Sequence, residues 1–212
     1  SNCAAMGLGA DVDGVIRDVV FSNCVVKKSL RMIQVEMWHA GQIERAIFSG
    51  ISGKTFPDEG VENERPIYVD IQQWIRPEPA LGRVRDLIFR DIFCESRGRI
   101  IMTAQDGAVI DGVTLDTVII TVPEIEDPAE TVPRAVSMQL SNFNPHTRAA
   151  RAAVVADNVH RLALRNVEYR WPESPTPAMH GLCLRNCTDV IDESPRLQSS
   201  EDQHERVLNA DE

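Results

Sequence analysis

One spacing of apolar residues recurs along the chain: an apolar residue, two positions, an apolar residue, one position, an apolar residue, two positions, and a fourth. It occurs as Ile16/Val19/Phe21/Cys24, Ile43/Ala46/Phe48/Ile51, Val84/Leu87/Phe89/Ile92, Ile110/Val113/Leu115/Val118, Val159/Leu162/Leu164/Val167 and Met179/Leu182/Leu184/Cys187. A helix would place its apolar residues at i, i+3, i+4 and i+7, whereas the alternation inside each copy, the β-branched content and the polar flanks favour strands. The third member advances from 21 to 48, 89, 115, 164 and 184. Steps of 27, 26 and 20 residues match one turn of a parallel β-helix, and steps of 41 and 49 match one turn with an inserted loop, or two turns. Between copies, Met32-Ile33-Gln34-Val35, Pro66-Ile67-Tyr68-Val69 and Arg99-Ile100-Ile101-Met102 alternate as further short strands of the same coils. The pattern predicts an all-β, single-stranded parallel β-helix (a solenoid) of six or more coils over residues 1–192. Loops are inserted near 53–64 and 123–148, and 193–212 form a polar tail, frayed or a short helix.

Turn chemistry agrees with this periodicity. Gly14, Gly41, Gly82 and Gly107 each precede a copy, where the chain bends between strands. Asn23, Asp91, Asn166 and Asn186 each stand one residue before the fourth apolar member. They form either a stacked hydrogen-bonded ladder or a line of solvated turn residues.

The 212 residues, 43% of them hydrophobic, suit one domain with a continuous core. A formal charge of −10 opposes binding to nucleic acid or an anionic membrane. No apolar run approaches the roughly 20 residues of a membrane helix. The amino terminus shows no secretory signal pattern. Five cysteines at irregular spacing, Cys3, Cys24, Cys94, Cys183 and Cys187, read as small core residues rather than a zinc or redox motif. His146, His160, His180 and His204 lack metal-ligand spacing, with His160 and His180 expected at exposed strand starts, so no metal and no cofactor is expected. Nucleophile-elbow, phosphate-loop and dinucleotide motifs are missing.

The stretch Met6-Gly7-Leu8-Gly9-Ala10-Asp11-Val12-Asp13-Gly14-Val15-Ile16-Arg17-Asp18-Val19-Val20-Phe21-Ser22-Asn23-Cys24 resembles a segment of glycoside hydrolase family 28, the polygalacturonase-like proteins. That segment reads Leu-Lys-Ile-Gly-Thr-Glu and then Gly-x-Ile-Arg-Asn-Val-x-Phe-Ser-Asn-Cys. The likeness continues through Ser29-Leu30-Arg31-Met32-Ile33, Gly41 to Ile51 and Arg65-Pro66-Ile67-Tyr68-Val69, and extends along the carboxy-terminal part of the family at the level of coils. It implies a right-handed parallel β-helix, secretion or a periplasmic location, and hydrolysis of pectin-like polysaccharides with inversion. The family's Asn-x-Asp and Asp-Asp motifs would precede residue 1. Its Arg-Ile-Lys is replaced by Gln34-Val35-Glu36, which removes the cations that pair with a uronate carboxylate.

Against that background, Asp11 and Asp13 are candidates for a catalytic carboxylate pair, with turn capping as the alternative. Arg31, at the family's Arg-Gly-Ile, is a candidate ligand contact. Trp38, His39, Arg65 and Tyr68, with Trp74 nearby, offer aromatic and polar groups for stacking on sugar rings, with packing as the alternative. The expected partner is a polysaccharide or oligosaccharide. Two functions follow: a carboxy-terminal fragment or degenerate member of a glycosidase that lacks its acid and base, or a non-catalytic β-helix module for glycan binding or assembly. A pectate-lyase-like enzyme would need clustered acids for calcium and an arginine base, and no such cluster stands out. Cutting a β-helix exposes strand edges, so self-association through an uncapped first coil is expected.

Overall fold

A computed structural model describes residues 4–56, 64–73, 80–124, 145–173, 179–200 and 206–209. Their strands are β1 (Ala4–Leu8), β2 (Val15–Ser29), β3 (Arg31–Met37), β4 (Gln42–Thr55), β5 (Arg65–Ile71), β6 (Arg83–Glu95), β7 (Ile100–Ala104), β8 (Ile110–Thr121), β9 (Ala152–Asp157), β10 (Val159–Arg170), β11 (His180–Arg185), β12 (Ile191–Glu193) and β13 (Val207–Asn209), with one short helix, α1 (Pro145–Ala149). The chain is all-β and builds two parallel sheets. The first has the order β1-β3-β5-β7-β9-β11-β13 and the second β12-β10-β8-β6-β4-β2, so consecutive strands fall in different sheets and every strand pairs with the next but one.

Five copies of the apolar spacing align in register in the second sheet. Ile16, Val19, Phe21 and Cys24 pair with Ile43, Ala46, Phe48 and Ile51, and those with Val84, Leu87, Phe89 and Ile92. The columns continue through Ile110, Val113, Leu115 and Val118 to Val159, Leu162, Leu164 and Val167. These residues, with Ile33, Val35, Ile67, Val69, Ile100 and Met102 from the first sheet, form one core between the sheets. Identical side chains in one column stack: Phe48 lies 5.1 Å from both Phe21 and Phe89, with ring planes 7° and 8° apart. Both long steps, 48 to 89 and 115 to 164, join strands that are direct neighbours, so each is a single step carrying an insertion.

The sixth copy is a correction. Met179 to Cys187 spans β11, which lies in the first sheet with Leu182 opposite Val154 and Leu184 opposite Ala156. The second sheet is continued instead by β12, with Ala163 opposite Ile191. Two leucines at i and i+2 satisfy either sheet, and the flanking Met179 and Cys187 complete the spacing by coincidence. The tail also differs from expectation. In place of fraying or helix from residue 193, Leu197 enters the core with 0% exposure and β13 pairs with β11. Within the two expected loops, Gly53–Thr55 belong to β4 and 145–149 to α1, while 57–63 and 125–144 lie outside the described residues.

Each long strand of the second sheet turns two corners by placing single residues in the left-handed region. One column holds Asp18, Arg45, Asp86, Gly112 and Arg161, and the other Asn23, Gly50, Asp91, Thr117 and Asn166, with φ between 51° and 80°. Asn and Asp reach this region cheaply, which explains Asn23, Asp91 and Asn166. Only one hydrogen bond between neighbours joins the second column among the described residues, Asn166 donating to Thr117 at 3.4 Å, so shared backbone shape rather than a continuous ladder relates these residues. Where the sheets meet, the backbones run close: a Cβ on Gly41 would stand 2.2 Å from the Val12 carbonyl oxygen. Among the cysteines, Cys94 and Cys183 are buried, Cys24 and Cys187 are half-buried, all four are free, and Cys3 lies outside the described residues. His160 and His180 are half-buried rather than exposed.

Candidate functional site

The first sheet has a second, outward face. Its inward residues join the main core, while Tyr68 and Ile101 form one separate cluster and Val155 and Cys183 belong to another. Alternation along the strands therefore lines up two outward rows. One runs Gln34, Tyr68, Ile101, Val155 and Cys183, and the other Glu36, Asp70, Thr103, Asp157 and Arg185. The second row carries three carboxylates.

Arg31, Arg65 and Tyr68, three of the residues singled out from sequence, meet at one end of these rows. The Arg65 guanidinium sits 4.1 Å from the Tyr68 ring centroid and that of Arg31 5.4 Å. Arg31 Nη1 donates to Gln34 Oε1 at 2.8 Å and to Glu36 Oε1 at 3.4 Å, and Gln34 donates to Glu36 Oε2. On the adjacent strand, Tyr68 Oη donates to Asp70 Oδ2 at 2.9 Å and Gln72 Nε2 to the same oxygen at 2.6 Å. Glu36 and Asp70 are direct neighbours across the β3/β5 pair.

The cluster is closed to solvent, with Arg65 0% and Tyr68 1% exposed. Burial accordingly controls its protonation. Desolvation raises the Glu36 carboxyl. It raises Asp70 well above the carboxylate range, helped by the Glu36 charge. The same burial lowers Arg65 to about 10 and raises the Tyr68 phenol. Two neighbouring carboxyls that both resist ionisation can hold a proton between them. The Tyr68 ring is thus covered by arginine rather than presented to a sugar, and Trp74 lies outside the described residues.

Asp11, Asp13 and His39 form a second group at the corner after β3. His39 is buried, with Nε2 2.7 Å from Asp11 Oδ1 and Nδ1 3.3 Å from Asp13 Oδ1. Both acids are exposed, Asp13 at 91% of its side chain. Their shared partner is therefore an imidazole that they orient, and they do not face one another as an acid–base pair. Trp38 is half-buried beside them, and its backbone N–H donates to Ala10 O at 3.0 Å.

Farther along the sheet, Asp157 accepts from Arg185 Nε at 2.7 Å and from Thr147 Oγ1 of α1 at 2.8 Å; Thr147 also bonds Thr103 at 3.0 Å. Glu36, Asp70 and Asp157 escaped attention as site residues in the sequence. Aligning the short strands in the manner of the apolar copies would have found the first two, since Gln34/Glu36 and Tyr68/Asp70 share both spacing and register. Among the described residues no group of three His, Cys, Asp or Glu side chains is placed to hold a metal ion. Compared with known proteins, the chain matches no family model, no curated protein and no solved structure.

Proposed function

We propose that this chain is a right-handed, single-stranded parallel β-helix of the polygalacturonase-like kind, and that it holds polysaccharide without hydrolysing it. Three features support the coil reading: strands that alternate between two parallel sheets, five in-register copies of one spacing, and corners repeated at fixed positions. The resemblance in residues 6–69 supplies the carbohydrate class. The observation that carries the proposal is the outward cluster of β3 and β5, where arginines, amides, a phenol and carboxyls gather on one sheet face. Such groups fix sugar hydroxyls, and the exposed rim of Asp11, Asp13 and half-buried Trp38 and Gln34 is where a glycan meets them.

Hydrolysis fits this cluster poorly. Glu36 and Asp70 lie on hydrogen-bonded neighbours, about 4.8 Å apart in backbone spacing. Inversion requires roughly 6.5–9.5 Å between the two carboxyls, to admit a water between acid and base. Affinity electrophoresis through gels containing polygalacturonate, methyl-esterified pectin or neutral glycans, run beside a reducing-sugar assay, tests both halves. The expected result is retardation by at least one glycan, weakened in Trp38→Ala and Asp13→Asn, with no sugar released. A folded chain retarded by none of them refutes the binding reading, and sugar release that vanishes in Asp11→Asn refutes the non-hydrolytic one.

A further inference from the structure

The two ends of the paired sheets are unlike. At one end β2 is the last strand of its sheet, with fifteen residues along a free edge, and β1 is the last strand of the other. Ile16, Val19, Phe21 and Cys24 there are only partly buried, whereas their column mates on β4, Ile43, Ala46, Phe48 and Ile51, are 0% exposed. Val15, Val20 and Val25 stand 58%, 61% and 79% exposed. Phe21 stacks on Phe48 by one face and has no ring against the other among the described residues. At the opposite end β12 and β13 are short, and Leu197 fills the core.

Register nevertheless makes these ends complementary. In the second sheet one outward row runs Val20, Ile47, Ile88, Thr114, Ala163, Ile191, so exposed Val20 and 47% exposed Ile191 terminate the same row. In the first sheet the row Gly7, Gln34, Tyr68, Ile101, Val155, Cys183, Leu208 ends on Gly7, whose added Cβ would meet only the Gln34 oxygen at 3.9 Å. The corner shape repeats as well: Asp18 on β2 and Asp189 before β12 occupy the same register position, with φ of 57° and 52°. Charge matches in sense. The β2 edge bears Arg17, Lys27 and Lys28 against Asp18 in a chain of net charge −10, and the β12 end presents Asp189, Asp192 and Glu193.

We propose that the β1/β2 end is a docking surface for the β13/β12 end of a second copy of this chain, stacking copies head to tail with both sheets continued in parallel. Ile191 of one copy then lies beside Val20 of the next, and Leu208 beside Gly7. Because the two surfaces differ, the contact is heterologous and does not close on itself. Mass in sedimentation velocity should grow past the dimer as concentration rises, and fall with added salt. Val20→Lys and Ile191→Lys alter side chains already exposed in the single copy, so circular dichroism should report unchanged folding while each variant alone stays monomeric. Mixed one to one, the two variants retain one intact surface of each kind and should stop at a dimer. A wild-type chain that remains monomeric overturns the proposal. So does a wild-type dimer that fails to grow, or a variant mixture that stays monomeric.

Discussion

At the scale of single residues, the corners and the buried acids set the energetics. Thr117 is the β-branched residue among the left-handed positions of its column, which elsewhere holds Asn, Gly and Asp. Left-handed backbone costs roughly 1–2 kcal/mol for an ordinary residue and little for Asn. Thr117→Asn is therefore expected to raise unfolding free energy by about 1 kcal/mol, read from the urea midpoint at constant m-value. The carboxyls of Glu36, Asp70 and Glu64 are all raised by burial above their unfolded range near 4. A raised carboxyl contributes stability that is complete below the unfolded value and lost as pH climbs through the folded one. Asp18, Glu44, Asp111 and Glu168 are lowered by arginine hydrogen bonds and act oppositely, losing their contribution on acidification. Thermal melts should consequently peak in mildly acidic buffer and decline toward neutrality, with the decline shallower in Glu36→Gln. A Tm that rises steadily from acid to neutral pH would contradict this assignment.

Among the elements, position in the stack decides how much a side chain is worth. Phe48 and Phe21 occupy one column, yet Phe48 has an aromatic ring on both faces and Phe21 on one. Truncating a fully buried phenylalanine costs about 3–5 kcal/mol. Phe48→Ala should fall in that range and Phe21→Ala clearly below it, a difference measurable by chemical denaturation. The apolar columns of β2, β4, β6, β8 and β10 were legible in the sequence because period-two alternation and fixed corners leave a strict spacing. The sixth copy misled because β11 is short, and Leu182 and Leu184 alone do not distinguish one sheet from the other. The strand at Val207–Asn209 was hidden by its polar surroundings, for three residues carry too little pattern to outweigh the acidic stretch before them.

For the molecule as a whole, the candidate site was legible only in part. Arg31, Arg65 and Tyr68 were visible because they fall on strands, and those strands bring them together. Glu36 and Asp70 were not, since an acid on an alternating strand reads as solvent-facing until the cover over that face is known. Register has a kinetic consequence too. Each long strand of the second sheet finds its partners one layer before and one layer after, so order spreads by addition of neighbours rather than by closing distant loops. The middle layers, β4, β6 and β8, have partners on both sides, whereas β2, β12 and β13 have them on one. Amide exchange should therefore be slowest in the middle and quicken toward both ends. A whole layer inserted between β6 and β8 would lengthen the slow region without redrawing the rest.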